Sequence, residues 1–194
     1  CHYPFKGLCG AGVVFKLALA ICEKAKINVD KAWIHSDIVT LGIAADLVPI
    51  IDENRIIVQK GIEKIEEGTN AGILALRRVG DLINKHITVG RLVFWVAPKI
   101  NAAGRLGDAS RAVKLLTTKN PVFAMEIANE LEKVNNKRKE ITIQIIQEAV
   151  RMVENECNLI DEKIIVLQKE NWHQGVIGIV ASRIKEIFSR PTII

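Results

Sequence analysis

The amino-acid sequence predicts a helix-rich α/β protein, on three observations. Hydrophobic residues recur at helical spacings of three and four through most of the 194 residues. One such periodic stretch runs without a break from 121 to 156. After it, residues 163–194 have the pattern strand, loop, helix and second strand, which begins a βαβ unit. Because 49% of the residues are hydrophobic and 25% are charged, the chain is a folded globular one.

The first part of the chain is predicted to contain a series of helices with polar caps. A first apolar helix spans 13–26, and Asp30 is a suitable N-cap for the second. Asn54 is a candidate N-cap for a third helix, which Gly68 would end. Asn70 begins a fourth helix in the same way.

The sequence after residue 88 fits two types of element. Thr88 is a candidate cap, and Pro98 is expected to break or kink the helix that begins there. Residues 92–96 fit a short strand equally well, because short apolar runs do not distinguish strand from helix. Residues 110–116 predict one or two amphipathic helical turns.

The stretch 121–156 is predicted to be one long helix that connects two parts of the molecule. Pro121 suits a first helical turn, and the whole stretch would be roughly 50 Å long at 1.5 Å per residue. We therefore predict a first domain over 1–118, the connecting helix over 119–160, and a second domain over 161–194. The apolar residues that predict the helix are Ile127, Leu131, Val134, Ile141, Ile145, Ala149 and Met152.

The last part of the chain is predicted to start a second α/β unit. Residues 163–167 are a strand, 171–175 a loop and 176–187 a helix, and a second strand begins at Thr192. A crossover of this length suits two parallel strands.

Charge and cysteine content limit the class of protein. A net charge of +5 and a pI near 9.1 favour a polyanionic partner weakly. Four scattered cysteines indicate reduced thiols and a cytoplasmic protein, and no apolar run is long enough to span a membrane. With three Trp, one Tyr and five Phe, the sequence gives no sign of a base-stacking platform.

Asp46 is the candidate metal ligand. It follows the small residues Gly42-Ile43-Ala44-Ala45, where a carboxylate could face a cavity and bind a divalent cation. The alternative is an ordinary aspartate at a helix end before Pro49. Asp37 lies nearby and is a weaker candidate.

The string Asn101-Ala102-Ala103-Gly104-Arg105 is a candidate phosphate-binding surface. An arginine fork and an asparagine amide are separated by residues with almost no side chain. The alternative is a helix end capped by Gly104, with Arg105 in solvent.

The string Trp172-His173-Gln174-Gly175-Val176 lies between the predicted strand and helix. His173 could contact a phosphate, helped by helix amides after Gly175. A single loop histidine is more often structural or solvated. Lys137-Arg138-Lys139 on the long helix is, from the residues alone, a solvated charged face.

Taken in order, these three strings resemble the RecJ family, the single-strand DNA exonucleases of the DHH phosphoesterase superfamily. The resemblance implies the end of a DHH domain, a connecting helix and the start of a DHH-associated substrate-binding domain. It implies that Asp46 is catalytic and holds metal, and that Asn101, Arg105 and His173 bind nucleic acid. It also leaves a structural or a DNA-lining role open for Lys137-Arg138-Lys139, because the connecting helix of the family has a similar pattern. Two Mn²⁺ or Mg²⁺ ions would serve hydrolysis from the 5′ end of single-stranded DNA, in repair and recombination.

The sequence contains neither an Asp-His-His triplet nor an Asp-x-Asp pair, on which the family relies for its metals. We therefore expect an inactive fragment that lacks the N-terminal metal motifs and the end of the C-terminal domain. Helicases or single-strand-binding proteins are expected partners. No association with a membrane is expected. Two alternatives remain: a non-catalytic nucleic-acid-binding relative, and a DHH phosphodiesterase acting on short oligonucleotides.

Overall fold

A computed structural model describes residues 2–157 and 162–194, and the fold is helix-rich α/β as predicted. The predicted boundary between 119–160 and 161–194 lies outside the described residues. The elements in chain order are α1 Gly10–Lys24, α2 Asp30–Trp33, α3 Ser36–Ala45, α4 Asp52–Glu67, α5 Ala71–Val79, α6 Val89–Arg91, a π-helical turn Leu92–Val96, α7 Ala97–Leu106, α8 Ser110–Thr117, α9 Pro121–Glu156, β1 Ile165–Val166, α10 Gln174–Phe188 and β2 Thr192–Ile193.

The predicted second helix is in fact two, α2 and α3. The N–H of His35 donates to the carbonyl of Ala32, a tight i−3 bond that ends the first turn before α3 begins. Asp30 is the first helical residue rather than the N-cap, because Val29 occupies the cap position. The prediction for Asp30 is therefore wrong by one residue.

Asn54 and Asn70 are both predicted N-caps, but only Asn70 caps a helix in the structure. Asn70 caps α5 as predicted, accepting hydrogen bonds from the N–H groups of Gly72 and Ile73. Asn54 lies inside α4 and does not cap it. Its Nδ2 donates to the carbonyls of Gly7 and Pro49, 2.7 and 2.9 Å away, because the buried amide of Asn54 needs acceptors.

Thr88 begins a helix as predicted, but Pro98 does not end it. The chain continues from α6 through the π-helical turn into α7, so the strand alternative for 92–96 is wrong. Pro98 lies in the first turn of α7 and has no N–H to donate to the preceding turn. We attribute the wide π-helical turn before it to this proline. A wider turn keeps the backbone of the preceding turn away from the pyrrolidine ring.

Helix α9 is one continuous helix of 36 residues, roughly 54 Å long, and this prediction is confirmed. Its first half contributes Ala128 and Leu131 to a core formed with α3, α5, α7 and α8. Its second half contributes Ala149 and Val153 to another core, with β1 and α10. A third cluster around Phe15 joins α1, α3 and α4.

The predicted βαβ unit is confirmed, with shorter strands than expected. Strands β1 and β2 are parallel, with Ile165 opposite Thr192 and Val166 opposite Ile193. Helix α10 connects them and buries Val176, Val180 and Ile184 against α9. No helix in the described part of the chain is both long and apolar enough to cross a membrane.

Candidate nucleic-acid interface

Helix α7 presents Asn101 and Arg105 on one exposed face. The two residues are four positions apart, so their side chains are neighbours on the helix surface. Ala102 and Ala103 between them are buried where α7 packs against its neighbours. The small residues of this string therefore permit close helix packing, while the two polar residues remain accessible.

Helix α7 does not end at Gly104, as the helix-end alternative for this string would require. The helix continues through Gly104 and ends at Leu106, with Gly107 in the cap position. The interpretation of Gly104 as the C-cap is therefore wrong. Gly104 has open space where a Cβ would be, so neither crowding nor a positive φ explains a glycine at this position.

The string around Arg105 and the string around His173 are in contact, although 70 residues separate Arg105 from Gly175. The Nη1 of Arg105 donates a hydrogen bond to the carbonyl oxygen of Gly175 over 3.1 Å. A Cβ on Gly175 would overlap the carbonyl group of Arg105. The two motifs are joined by this close backbone approach, for which a glycine is required.

His173 caps α10. Its Nδ1 accepts a hydrogen bond of 3.0 Å from the N–H of Gly175, and its carbonyl accepts one from Val176. With Nδ1 as an acceptor, the neutral imidazole carries its proton on Nε2, which can donate to a phosphate oxygen. The N–H groups of Gly175 and Val176 are thus both paired with His173 itself.

The loop that carries His173 is anchored to α9 through Glu148. The indole Nε1 of Trp172 donates to Glu148 Oε2 over 3.0 Å, and Lys169 Nζ lies 2.7 Å from the same oxygen. The hydrogen bonds from Lys169 and Trp172 lower the pKa of the Glu148 carboxyl. This anchor fixes the position of His173 relative to α9.

Arg138 of α9 is a fourth polar residue at this place, and the sequence left its role open between a solvated and a DNA-lining one. Its side chain is half-buried, and its Nε is buried without a hydrogen-bond partner. Burial, and then the nearby charge of Arg105, lower the pKa of Arg138. We call Asn101, Arg105, Arg138 and His173 the α7–α9–α10 junction. Among the described residues, none of the four forms an ion pair with a carboxylate.

Asp46 lies at the C-cap of α3, and the described part of the chain places no group of metal-ligating side chains around it. Its side chain is exposed, and its N–H donates to the carbonyl of Gly42. A side chain at Gly42 would collide with Ala11 of α1, and Ala44 is buried. The small residues before Asp46 therefore allow α1 and α3 to pack closely.

Asp37, the weaker candidate, cannot join Asp46 around one ion. Nine residues of α3 separate them, which is roughly 13 Å along the helix axis. Asp37 is 2% exposed, and burial raises the pKa of its carboxyl. Within 2–157 and 162–194, no three His, Cys, Asp or Glu side chains converge into a metal site. These residues do not by themselves fit a two-ion centre.

The chain is similar over its whole length to exonucleases named RecJ. It is 38% identical over 198 residues to the single-stranded-DNA-specific exonuclease RecJ of Bacillus subtilis, and 38% identical over 208 residues to that of Escherichia coli. Each match covers 100% of this chain, but only 24% and 36% of those proteins. The chain thus spans about a quarter to a third of these curated relatives. No family model matches it.

The fold is similar to solved structures of RecJ. The structure of RecJ from Thermus thermophilus in complex with Mg²⁺ matches with a TM-score of 0.85 and 30% identity, over 98% of this chain and 29% of that one. A structure of exonuclease RecJ bound to manganese matches with a TM-score of 0.85 and 31% identity, over 98% and 47%. The resemblance predicted from the three motifs is confirmed.

Proposed function

We propose that this chain forms the phosphate-binding wall of a metal-dependent exonuclease that degrades single-stranded DNA from the 5′ end. The contact between Arg105 and Gly175 carries this proposal, because it joins the two motifs that the RecJ resemblance assigns to DNA binding. The likeness to RecJ over the full chain supports the same conclusion. The proposed setting is repair and recombination in the cytoplasm, with helicases or single-strand-binding proteins as predicted partners.

The chemistry of the α7–α9–α10 junction suits a phosphodiester. Arg105 and Arg138 offer guanidinium donors, Asn101 offers an amide and His173 offers an Nε2–H. None of these four residues takes part in an ion pair with another described residue. Two guanidinium groups close to each other repel, so an anion between them relieves that repulsion as well as accepting hydrogen bonds. The backbone of a DNA strand supplies such anions.

We further propose that 1–118 and 161–194 belong to two domains on either side of a cleft, with α9 as the spacer between them. Mg²⁺ or Mn²⁺, which relatives bind, would supply a nucleophile and charge neutralisation when bound. Asp46 is the proposed ligand from this chain, and the other ligands would come from sequence outside it. We therefore assign DNA binding, and not bond cleavage, to the residues described here.

A second candidate is a non-catalytic nucleic-acid-binding relative. It is favoured by one observation: the described carboxylates and histidines do not converge on a metal site. Both candidates require the junction to bind DNA. An upstream segment with intact metal motifs would decide in favour of the exonuclease.

The experiment that tests the proposal is a titration of labelled single-stranded DNA with the chain, followed by fluorescence anisotropy. Arg105→Ala should cost about 1.5–3 kcal/mol of binding free energy, which is about tenfold to a hundredfold in affinity. Arg55→Ala, which removes an exposed arginine from α4, is the matched control and should bind like the wild type. Equal affinities of Arg105→Ala and wild type would leave Arg105 with only its structural contact to Gly175.

A further inference from the structure

An exposed aromatic pair lies beside α9, on a part of the surface that the proposed function does not use. Phe94 and Trp95 project from the π-helical turn with 77% and 54% of their surfaces exposed. Large apolar side chains exposed next to each other often mark an interaction surface or a ligand-binding groove. Single-turn π-helices inside α-helices are also frequent at functional sites.

The aromatic pair borders a cavity of about 510 Å³, which is within the size range of small-ligand sites. Lys99, Glu132, Asn135 and Lys139 line the same cavity. Lys99 is buried, and its Nζ donates to the carbonyl of Trp95 and pairs with Glu132, each at 2.8 Å. The ammonium group therefore holds the turn that carries Trp95 against α9.

The cavity contains an unused hydrogen-bonding group. Asn135 is 1% exposed, yet its Oδ1 has no hydrogen-bond partner in the structure. Buried amide groups are almost always paired, so the unpaired Oδ1 of a residue that lines the cavity points to a missing partner. A nucleobase, with ring donors and acceptors, can satisfy this amide.

The charge around the cavity favours a polyanion. Both carboxylates that line it are paired, Asp81 with Lys85 and Glu132 with Lys99. Lys139 remains as a cation without an ion-pair partner among the described residues. Asn135, which lines the cavity, lies one turn before Arg138 on α9, so the cavity and the α7–α9–α10 junction are close to each other along this helix.

We propose that this cavity is a base-binding subsite, in which Phe94 and Trp95 stack on an unpaired nucleobase and Asn135 hydrogen-bonds its edge. Lys139 contacts the adjoining phosphate. The subsite rests on the proposed function, since the same strand would place phosphates at the junction. Stacking on aromatic side chains does not depend on the base sequence of the DNA, which suits an exonuclease that degrades any strand.

The test compares an oligothymidylate with an abasic oligonucleotide of the same length and charge. The wild-type chain should bind the oligothymidylate more tightly. Trp95→Ala should lower that affinity about fivefold to a hundredfold, as the loss of one stacked base does, and leave abasic binding unchanged. Trp95→Phe should restore most of the loss, and Phe123→Ala, which removes an exposed aromatic residue at the start of α9, should have no effect.

Two results separate the failure of the subsite from the failure of the proposed function. If Arg105→Ala weakens binding but Trp95→Ala does not, the subsite is wrong and the function stands. If the wild-type chain binds neither oligonucleotide, both are wrong. The other occupant of an aromatic face is a second copy of the chain. A dimer that Trp95→Ala dissociates, with unchanged DNA affinity, would also overturn the subsite.

Discussion

Gly175 decides how closely the two motifs that we propose to bind DNA approach each other. Its backbone lies against the carbonyl group of Arg105, and its own carbonyl accepts the guanidinium hydrogen bond. Neither contact requires an unusual φ, so the reason for glycine here is steric and not conformational. Any side chain at this position must push α7 and α10 apart.

Gly175→Ala should therefore destabilise the chain by about 1–3 kcal/mol, as overpacking of a close contact does, and weaken DNA binding. Thermal unfolding and anisotropy measure the two effects. Gly178→Ala is the matched control in the same helix, because a Cβ there meets no atom within 4 Å. It should stabilise the chain by about 0.5–1 kcal/mol. Equal stability of Gly175→Ala and wild type would show that the helices separate without cost.

The sequence predicted part of the candidate site, and the rest of it had a weaker signal. Asn101, Arg105 and His173 belong to compact strings, so pattern alone could single them out. Asn135 and Arg138 instead continue the inward stripe of α9 beyond Leu131, where polar residues are unexpected. Their nearness to α7 depends on how two distant helices pack, which spacing along one chain does not reveal.

At the scale of elements, long periodicity was a better guide than short apolar runs. Helix α9 was predictable because its stripe is sustained over many turns. The π-helical turn at 92–96 was not, since five apolar residues suit a strand, a helix or a wide turn. The break between α2 and α3 was also missed, because one local hydrogen bond at His35 interrupts an otherwise continuous pattern.

The Glu148 anchor makes the attachment of the His173 loop dependent on pH. Since its hydrogen bonds lower the pKa of Glu148 in the folded chain, their stabilisation is fully present above the unfolded pKa of about 4.3. It is lost as the pH falls through the lowered folded value. Glu148→Gln should therefore melt at a lower temperature than wild type at pH 7, and the two should converge in strong acid.

Melting temperatures across this pH range test the anchor. Glu154→Gln, at an exposed glutamate two turns further along α9, is the control and should follow the wild type at every pH. A constant difference between Glu148→Gln and wild type down to strong acid would assign the effect to packing, and not to ionisation.

On the scale of the whole molecule, the two ends of α9 pack in separate cores, and the cationic junction lies between them. We propose that this arrangement binds a strand without cutting it. The chain alone should leave 5′-labelled single-stranded DNA intact in the presence of Mn²⁺ or Mg²⁺, because the described residues do not assemble a metal site. Gel electrophoresis of the labelled strand measures this, and metal-dependent release of nucleotides would contradict it.

The most direct test of the central claim, that the junction binds DNA phosphates, is the salt dependence of binding. For single strands, the logarithm of the affinity falls with the logarithm of salt concentration with a slope of roughly −0.7 per neutralised phosphate. The double variant Arg105→Ala/Arg138→Ala should therefore show a slope that is shallower by about 1.4 than that of the wild type. Parallel lines for the two proteins would mean that these arginines do not contact phosphates.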